Sequence, residues 1–329
     1  MDENEIKFLV IRFSSIGDIV LTTPIVRCLK QQVEGAVVHF LTKPAYASIL
    51  ESNPYIDKVH TLGNFHASIN ELRDEGFDYI IDLHKNIRTF RFKHKLKIMD
   101  FSFDKLNSEK FFLVNFKKNK LPDIHIVDRY FESVKLFDVV NDKKGLDFFI
   151  PEDVKYDFHE MFPDEVKFVV FAIGGQHTTK QLPTERIKEI CSGINNPIVL
   201  LGGKEDQKVG KEISEKLEHV YNLCGITTLN ESAYIVTKST VVITHDTGIM
   251  HIAAAFKKDV FSIWGNTVPE FGMYPYLAGA NSEIFEVKDL KCRPCSKIGF
   301  KKCPKKHFDC MQKQDIQAII EKTNNLLGK

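Results

Sequence analysis

Two doubly wound α/β domains facing each other across a cleft are what this sequence predicts, on three observations. The chain has 329 residues, more than one hydrophobic core usually organises, so two domains of roughly 150 residues are expected. Short β-branched runs alternate with helical patterns through the first half, the mark of a parallel sheet covered by helices. After a polar stretch at 151–167 the alternation begins again. The expected division is an N-terminal domain at 1–155, a second at 156–312, and a C-terminal helix in 313–329.

The elements follow in order. Strands are expected at 7–13, 37–41, 59–62 and 79–83, with a helix from 18 to 31 after the first. The second set is expected at 168–172, 197–201, 241–244 and 260–264. Helices fill the gaps, among them 184–192 and 205–217, and an amphipathic helix closes the chain at 314–327.

Composition narrows the function. Hydrophobic residues make up 43% and charged residues 27%, a globular composition. No apolar run reaches the roughly 18 residues that span a bilayer. Met1-Asp2-Glu3-Asn4-Glu5 is acidic and polar where a signal peptide is basic and then apolar. A cytoplasmic protein is expected. The net charge of +1 argues against a general nucleic-acid binder. Seven cysteines without a secretion signal argue against a disulfide framework.

Ser14-Ser15-Ile16-Gly17-Asp18 falls at the carboxyl end of the first strand, where open α/β sheets bind ligands. It has one glycine where the dinucleotide fingerprint has three, which counts against a nucleotide-dependent oxidoreductase. Gly17 allows a sharp turn and Asp18 offers a carboxylate, although Ser14, Ser15 and Asp18 equally suit helix caps.

In the second half, Thr244-His245-Asp246-Thr247-Gly248-Ile249-Met250-His251 joins a strand end to a helix start. Free N–H groups there, with the positive end of the helix dipole, suit a phosphate. His251, one turn in, can face the same anion or be structural. Thr178-Thr179-Lys180-Gln181-Leu182-Pro183 follows Gly174-Gly175 and offers two hydroxyls and an ammonium as a phosphate clamp. A surface lysine without a ligand is the alternative. Gly202-Gly203-Lys204-Glu205-Asp206 is a glycine turn followed by two acids, either of which can cap the following helix.

Residues 83–97 carry no acid and many cations, with Phe90 and Phe92 interleaved. Such a run is a solvated face, a nucleic-acid surface or a site for an anionic headgroup. Cys292-Arg293-Pro294-Cys295, Cys303, His307 and Cys310 can hold structural zinc, but the second pair lacks tight spacing, and reduced packing cysteines are the default. No D-x-D pair is set to hold Mg²⁺ against a diphosphate.

Arg12-Phe13-Ser14-Ser15-Ile16-Gly17-Asp18-Ile19-Val20-Leu21-Thr22-Thr23-Pro24 resembles the opening motif of glycosyltransferase family 9, the ADP-heptose:lipopolysaccharide heptosyltransferases. Asp246-Thr247-Gly248 with His251 resembles that family's second signature, and the similarity runs over nearly the whole chain. The resemblance implies the GT-B fold and inverting, metal-independent transfer with Asp18 as catalytic base. It puts the donor nucleotide sugar, ADP-heptose, on Thr178, Thr179, Lys180, Asp246, Thr247, Gly248 and His251, with Glu205 or Asp206 at the ribose. Leu182 stands where some members carry tryptophan. Asn222-Leu223-Cys224-Gly225 looks like the turn near the base.

The acceptor side is expected at Ser15, Gly17, Arg88 and Arg129. Its ligand is an acidic sugar on a lipid A-core glycolipid at the inner membrane, which the protein meets peripherally, with no nucleic-acid partner. Similar cysteine-rich tails occur in the family without a catalytic metal. Heptose is implied by the resemblance alone. Another nucleotide sugar or glycan acceptor is the alternative, and a zinc-dependent nucleic-acid binder is a further one.

Overall fold

The computed structural model describes residues 5–159, 161–163 and 165–328. Met1 to Asn4, which carry most of the leader argument, lie outside the described residues. The chain divides into two compact units. One is the chain up to Lys105 with Ile124–Phe149, and the other is Leu106–Asp123 with Ile150–Lys329.

The first unit is built on five parallel strands: β1 (Ile6–Ile11), β2 (Ala36–Thr42), β3 (Lys58–Thr61), β4 (Tyr79–Asp82) and β5 (Met99–Ser102). Their order is β3-β2-β1-β4-β5. The chain runs outward from β1 to β3, then returns to lay β4 against the other side of β1. A crevice at the carboxyl ends of β1 and β4 follows from that reversal. Ile11 pairs with Asp82 at its floor. Phe8, Leu9, Val10 and Ile11 are fully buried, as a central parallel strand covered on both faces requires.

The helix expected at 18–31 is two helices, Ile16–Val20 and Thr23–Gln32. Thr22 and Thr23 turn their hydroxyls back to the carbonyls of Ile19 and Val20 at 2.6 and 2.8 Å. Pro24 has no N–H with which to continue the ladder. Arg27, buried in the second of these helices, grips Asp142, Asp147 and the Gly145 carbonyl, fixing the 142–147 segment to this unit.

The second unit carries six parallel strands: β6 (Val169–Ala172), β7 (Ile198–Leu201), β8 (Val220–Asn222), β9 (Val241–His245), β10 (Asp259–Trp264) and β11 (Glu283–Glu286). The order β11-β10-β9-β6-β7-β8 puts its reversal between β6 and β9. One face is a core of Phe171, Ile190, Ile243 and Ile319, and the other is built from Val170, Val242, Met250 and Trp264. The helix Ile316–Leu327 belongs to the first of these cores. A Cβ on Gly193 would meet Ile320 at 2.5 Å, so that glycine sets how closely the helix seats.

Helix Asn107–Phe116 groups with the second unit, although residues 1–155 were expected to form the first. Leu113, Val114 and Leu121 pack on Val268 and Phe271. Lys117 Nζ donates to the Pro294 carbonyl at 2.6 Å.

Candidate active site

Each unit gathers polar side chains at its own sheet reversal. In the first, the loop after β1 leads into the helix Ile16–Val20, and Asp18 in its first turn faces back to the strand end. Asp18 Oδ1 lies 2.6 Å from Arg12 Nη2. Its Oδ2 accepts from the Ser15 hydroxyl at 2.8 Å and the Ser15 N–H at 3.2 Å. Asp18 and Ser15 therefore do form a cap, and the pair with Arg12 comes in addition. Arg12 is held in turn by the carbonyls of Ser14 and Leu83 and by Tyr130 Oη. Gly17, expected to make a sharp turn, is instead a buried residue within this helix.

The electrostatics of Asp18 set its chemistry. Burial raises a carboxyl pKa, but the Arg12 charge and the two Ser15 bonds outweigh it, holding Asp18 below its ordinary value. Partial desolvation therefore does not by itself make Asp18 a stronger base while Arg12 is its partner.

From the other lip of the crevice come Asp82 and His84. Asp82 is fully buried. Its Oδ1 accepts from the N–H groups of His84 and Lys85 at 3.0 and 2.7 Å, and its Oδ2 lies 3.1 Å from Lys93 Nζ. His84 counts as part of a cationic run in the sequence. Burial, with the charges of Arg12 and Lys105, pushes its pKa down to about 4, so it is neutral at pH 7.

The rest of the basic run divides. Lys93 also pairs with Asp100 at 2.6 Å, Arg91 lies over the Phe65 ring, and Phe92 is core. Arg88 is exposed at the start of helix Ile87–Leu96. Arg129 is buried, at 7% exposure, beside Tyr130. Ser15, Asp18, Arg12, His84 and Tyr130 thus come together, while Arg88 stands in solvent and Arg129 is packed behind.

In the second unit, Lys180 and Asp246 meet across the β6/β9 reversal. Lys180 Nζ is 2.6 Å from Asp246 Oδ2, which also accepts from Thr267 Oγ1 at 2.9 Å. Thr247 caps helix Gly248–Ala255 by position, but its side chain makes no capping bond. Its Oγ1 lies 3.3 Å from that of Thr244. A Cβ on Gly175 would sit 3.4 Å from Thr247 Cγ2, so the loop after β6 runs against the start of this helix. His251 is buried.

The structure separates residues that the sequence left level. Asp206 is 7% exposed and is used internally, accepting from the Gly203 N–H at 2.9 Å and Gln181 Nε2 at 3.2 Å. Glu205 is exposed. Thr178 is exposed, whereas Thr179 is buried. The Thr179 hydroxyl donates to the Phe300 carbonyl at 3.0 Å and accepts the Phe300 N–H at 2.7 Å. Both sides of that hydroxyl are occupied, which corrects its assignment as a phosphate contact: it pins the 296–300 loop. Gly225, with φ +69°, folds the loop after β8 back to Gly202 through a 2.9 Å bond.

His245 carries a role the sequence did not signal. It is fully buried, and its Nε2 accepts the Leu182 N–H at 3.0 Å, fixing the loop that bears Lys180. Burial pushes its pKa down to about 4. The unfolded chain binds a proton on this residue near pH 6.5, whereas the folded chain refuses it until about pH 4. Stability is therefore lost as pH falls through that window, by about 3 kcal/mol from this residue. Urea unfolding at pH 7 and pH 4.5 measures the loss. His245→Gln, which retains an acceptor for Leu182, should show a smaller one, and an equal loss in both proteins contradicts the assignment.

The cysteines of the tail are free thiols. Cys292 Sγ lies 3.8 Å from His307 Nε2, and Cys295 Sγ donates to the Cys292 carbonyl at 3.0 Å. Burial pushes Cys295 up to about 11 and Cys310 up to about 12. Among the described residues, the three-ligand cluster close enough to hold a metal lies elsewhere, at His39, His60 and Glu75.

The family model described as glycosyltransferase family 9 (heptosyltransferase) matches residues 65–306, well over half of the chain. The chain belongs to glycosyltransferase family 9. The matched span includes β4, Lys180, Glu205, Asp246, Thr247 and His251, and begins after the Asp18 loop. The chain is 32% identical to lipooligosaccharide heptosyltransferase 2 of Campylobacter jejuni over 138 residues, 40% of this chain and 41% of that protein. The aligned part thus spans about two fifths of that relative's length.

Fold similarity runs further. The structure of the E. coli ADP-heptose lipopolysaccharide heptosyltransferase II superposes with TM-score 0.75 at 18% identity, over 98% of both chains. A family 9 glycosyltransferase from Veillonella parvula superposes with TM-score 0.79 at 21% identity, over 99% of this chain and 98% of that one. The expected fold, two doubly wound α/β units of the GT-B type, is the fold these glycosyltransferases share. Among the described residues no helix is long and apolar enough to cross a membrane.

Proposed function

We propose that this family 9 protein is an inverting, metal-independent glycosyltransferase that moves heptose from ADP-heptose to a lipopolysaccharide inner-core acceptor in the cytoplasm. The observation that carries the reading is Asp18, an ionised carboxylate at the reversal of the first sheet, bonded to Ser15 and Arg12. Its place suits a base that takes the proton of an attacking hydroxyl as the nucleotide diphosphate leaves. Family membership and the similarity to heptosyltransferases support the donor and acceptor classes.

In this reading the second unit holds the donor. The pyrophosphate lies on the helix start at Thr247 and Gly248, where N–H groups and the helix dipole favour an anion. Lys180 turns from Asp246 to the phosphates, and Thr178 lies beside it. The exposed Glu205, rather than the internally bonded Asp206, takes the ribose hydroxyls, and the Gly225 turn lies near the base. His251, buried in that helix, belongs to the same donor side. The first unit supplies Asp18, Ser15 and the acceptor contacts. There Arg88 and Arg129 are the candidates to meet an acidic group of the glycolipid. The charge that builds on the leaving diphosphate is met by Lys180 and the helix start, so no metal is needed.

A membrane-bound acceptor calls for peripheral contact. Helix Asn107–Phe116 exposes Phe111 and Phe116 at 51% and 58%, and Lys118 and Lys120 follow directly. Aromatic side chains flanked by lysines suit an anionic bilayer surface. Phe111→Ser with Phe116→Ser should reduce co-sedimentation with anionic vesicles. Unchanged sedimentation would move the contact to another face.

Transfer assays with ADP-heptose and a panel of other nucleotide sugars test the function. They use a heptose-deficient lipopolysaccharide acceptor and EDTA throughout. Transfer from ADP-heptose alone is expected. Transfer from another donor would keep the chemistry and replace the sugar, and transfer that EDTA abolishes would overturn metal independence.

A further inference from the structure

Beside β2 and β3 of the first sheet, two histidines and two glutamates converge. His39 stands on β2 and His60 on β3, and the register pairs His39 with Lys58 and Leu41 with His60. Residues 39 and 41 share a face of β2, as 58 and 60 share one of β3, so both imidazoles project to the same side of the sheet. Helix Phe65–Asp74 brings Glu71 over this face, with Glu75, its C-cap residue, one turn further on.

The geometry is that of a ligand set with its support. His60 Nδ1 lies 2.9 Å from Glu71 Oε1. A carboxylate can only accept here, so Nδ1 carries the proton and Nε2 is left as an acceptor. That Nε2 lies 3.0 Å from His39 Nδ1. Glu75 closes the triangle, with Oε2 3.9 Å from His39 Nδ1 and Oε1 3.9 Å from His60 Nε2. All three ligand atoms fall within 4.8 Å of one another. His39 and His60 are 6% and 2% exposed, and the Phe77 ring stands edge-on to both. Lys58 bonds the Glu75 carboxylate and is the cation a metal ion would displace.

We propose that His39 Nδ1, His60 Nε2 and the Glu75 carboxylate bind one divalent transition-metal ion, with Glu71 as the outer carboxylate that orients His60. Two imidazoles and a carboxylate, one imidazole backed by a second carboxylate, match zinc best among the common metals. The ion joins β2, β3 and the following helix, so its role is to brace the first unit. It takes no part in the proposed transfer, whose residues follow β1 and β4.

Cobalt(II) added to the chelator-stripped full-length protein tests the site. One equivalent is expected to bind and give the visible absorption of a nitrogen–oxygen site, without the near-ultraviolet thiolate band that the cysteine tail would add. Zinc should displace it. The histidines are buried and their variants can misfold, so the decisive substitutions are on the helix. Glu71→Gln should weaken binding by about 10–100-fold, and Glu75→Gln should abolish it, with the circular dichroism of both unchanged. The proposal is overturned if no cobalt binds, if the bound ion shows only thiolate ligation, or if neither glutamate variant changes the affinity. A simple hydrogen bond between two neutral imidazoles would give the first of these results.

Discussion

Asp18→Asn should lower kcat for sugar transfer by about 10²–10⁴-fold, the usual contribution of a general base, while leaving ADP affinity unchanged. That is about 3–5 kcal/mol of barrier. Asparagine keeps the shape of aspartate and can still accept from Ser15, but it cannot take up the acceptor's proton. In the proposed function the donor contacts fall to Lys180, Thr247 and Glu205 on the other unit, so a base variant should spare them. Steady-state transfer assays with titration calorimetry of ADP separate the two effects. Full turnover in the variant would remove Asp18 from the chemistry, and a parallel loss of ADP affinity would make its role one of binding.

The second large effect is expected at Arg12. Arg12→Gln leaves Asp18, whose side chain is 23% exposed, without its counter-charge. Removing one partner of such a buried pair typically costs about 3–5 kcal/mol of stability. The sign of the pH effect follows from the same pair. In the native protein Asp18 titrates below the ordinary aspartate value, so the acid limb of kcat/KM should lie below about pH 4. The stability this pair contributes is present above that pH and is lost as pH falls through the depressed pKa. With Arg12 gone, burial is the dominant influence left, and the acid limb should move upward into the range above about pH 4. Urea unfolding and a pH–rate profile measure the two consequences. An unmoved acid limb would show that the group titrating in the profile is not Asp18.

Much of the fold was legible because its central strands are continuous apolar runs. β1, β2, β6, β7, β9 and β10 are buried on both faces, and nothing else explains such runs at that length. The strands not foreseen are β5 (Met-Asp-Phe-Ser), β8 (Val-Tyr-Asn) and β11 (Glu-Ile-Phe-Glu). All three lie at sheet edges, where four residues or fewer with polar members carry too weak a pattern. The break at Thr22 was hidden because threonine interrupts a helix through its hydroxyl bonds, which periodicity does not register.

The candidate site was legible where motif and strand end coincide, at Asp18, Lys180 and Asp246. Its electrostatics were not. Arg12 reads as the end of an apolar strand, and only the folded loop brings its guanidinium to Asp18. His84 reads as one cation among many until burial neutralises it. Glu205 and Asp206 are adjacent acids that only exposure separates. Thr179 looks like Thr178 until the Phe300 backbone, more than a hundred residues on, claims its hydroxyl. His39, His60 and Glu75 share no motif at all, because strand register and a helix turn bring them together.

The central claim is a single displacement at the anomeric carbon, driven by one carboxylate base. The most direct test is the anomeric configuration of the product, read by NMR from transfer carried out in EDTA with the wild-type chain. A new glycosidic bond of configuration opposite to that of the donor is the predicted result. Retention of the donor configuration would contradict the account, because it requires either a second displacement or a front-face attack, and Asp18 as sole base provides for neither.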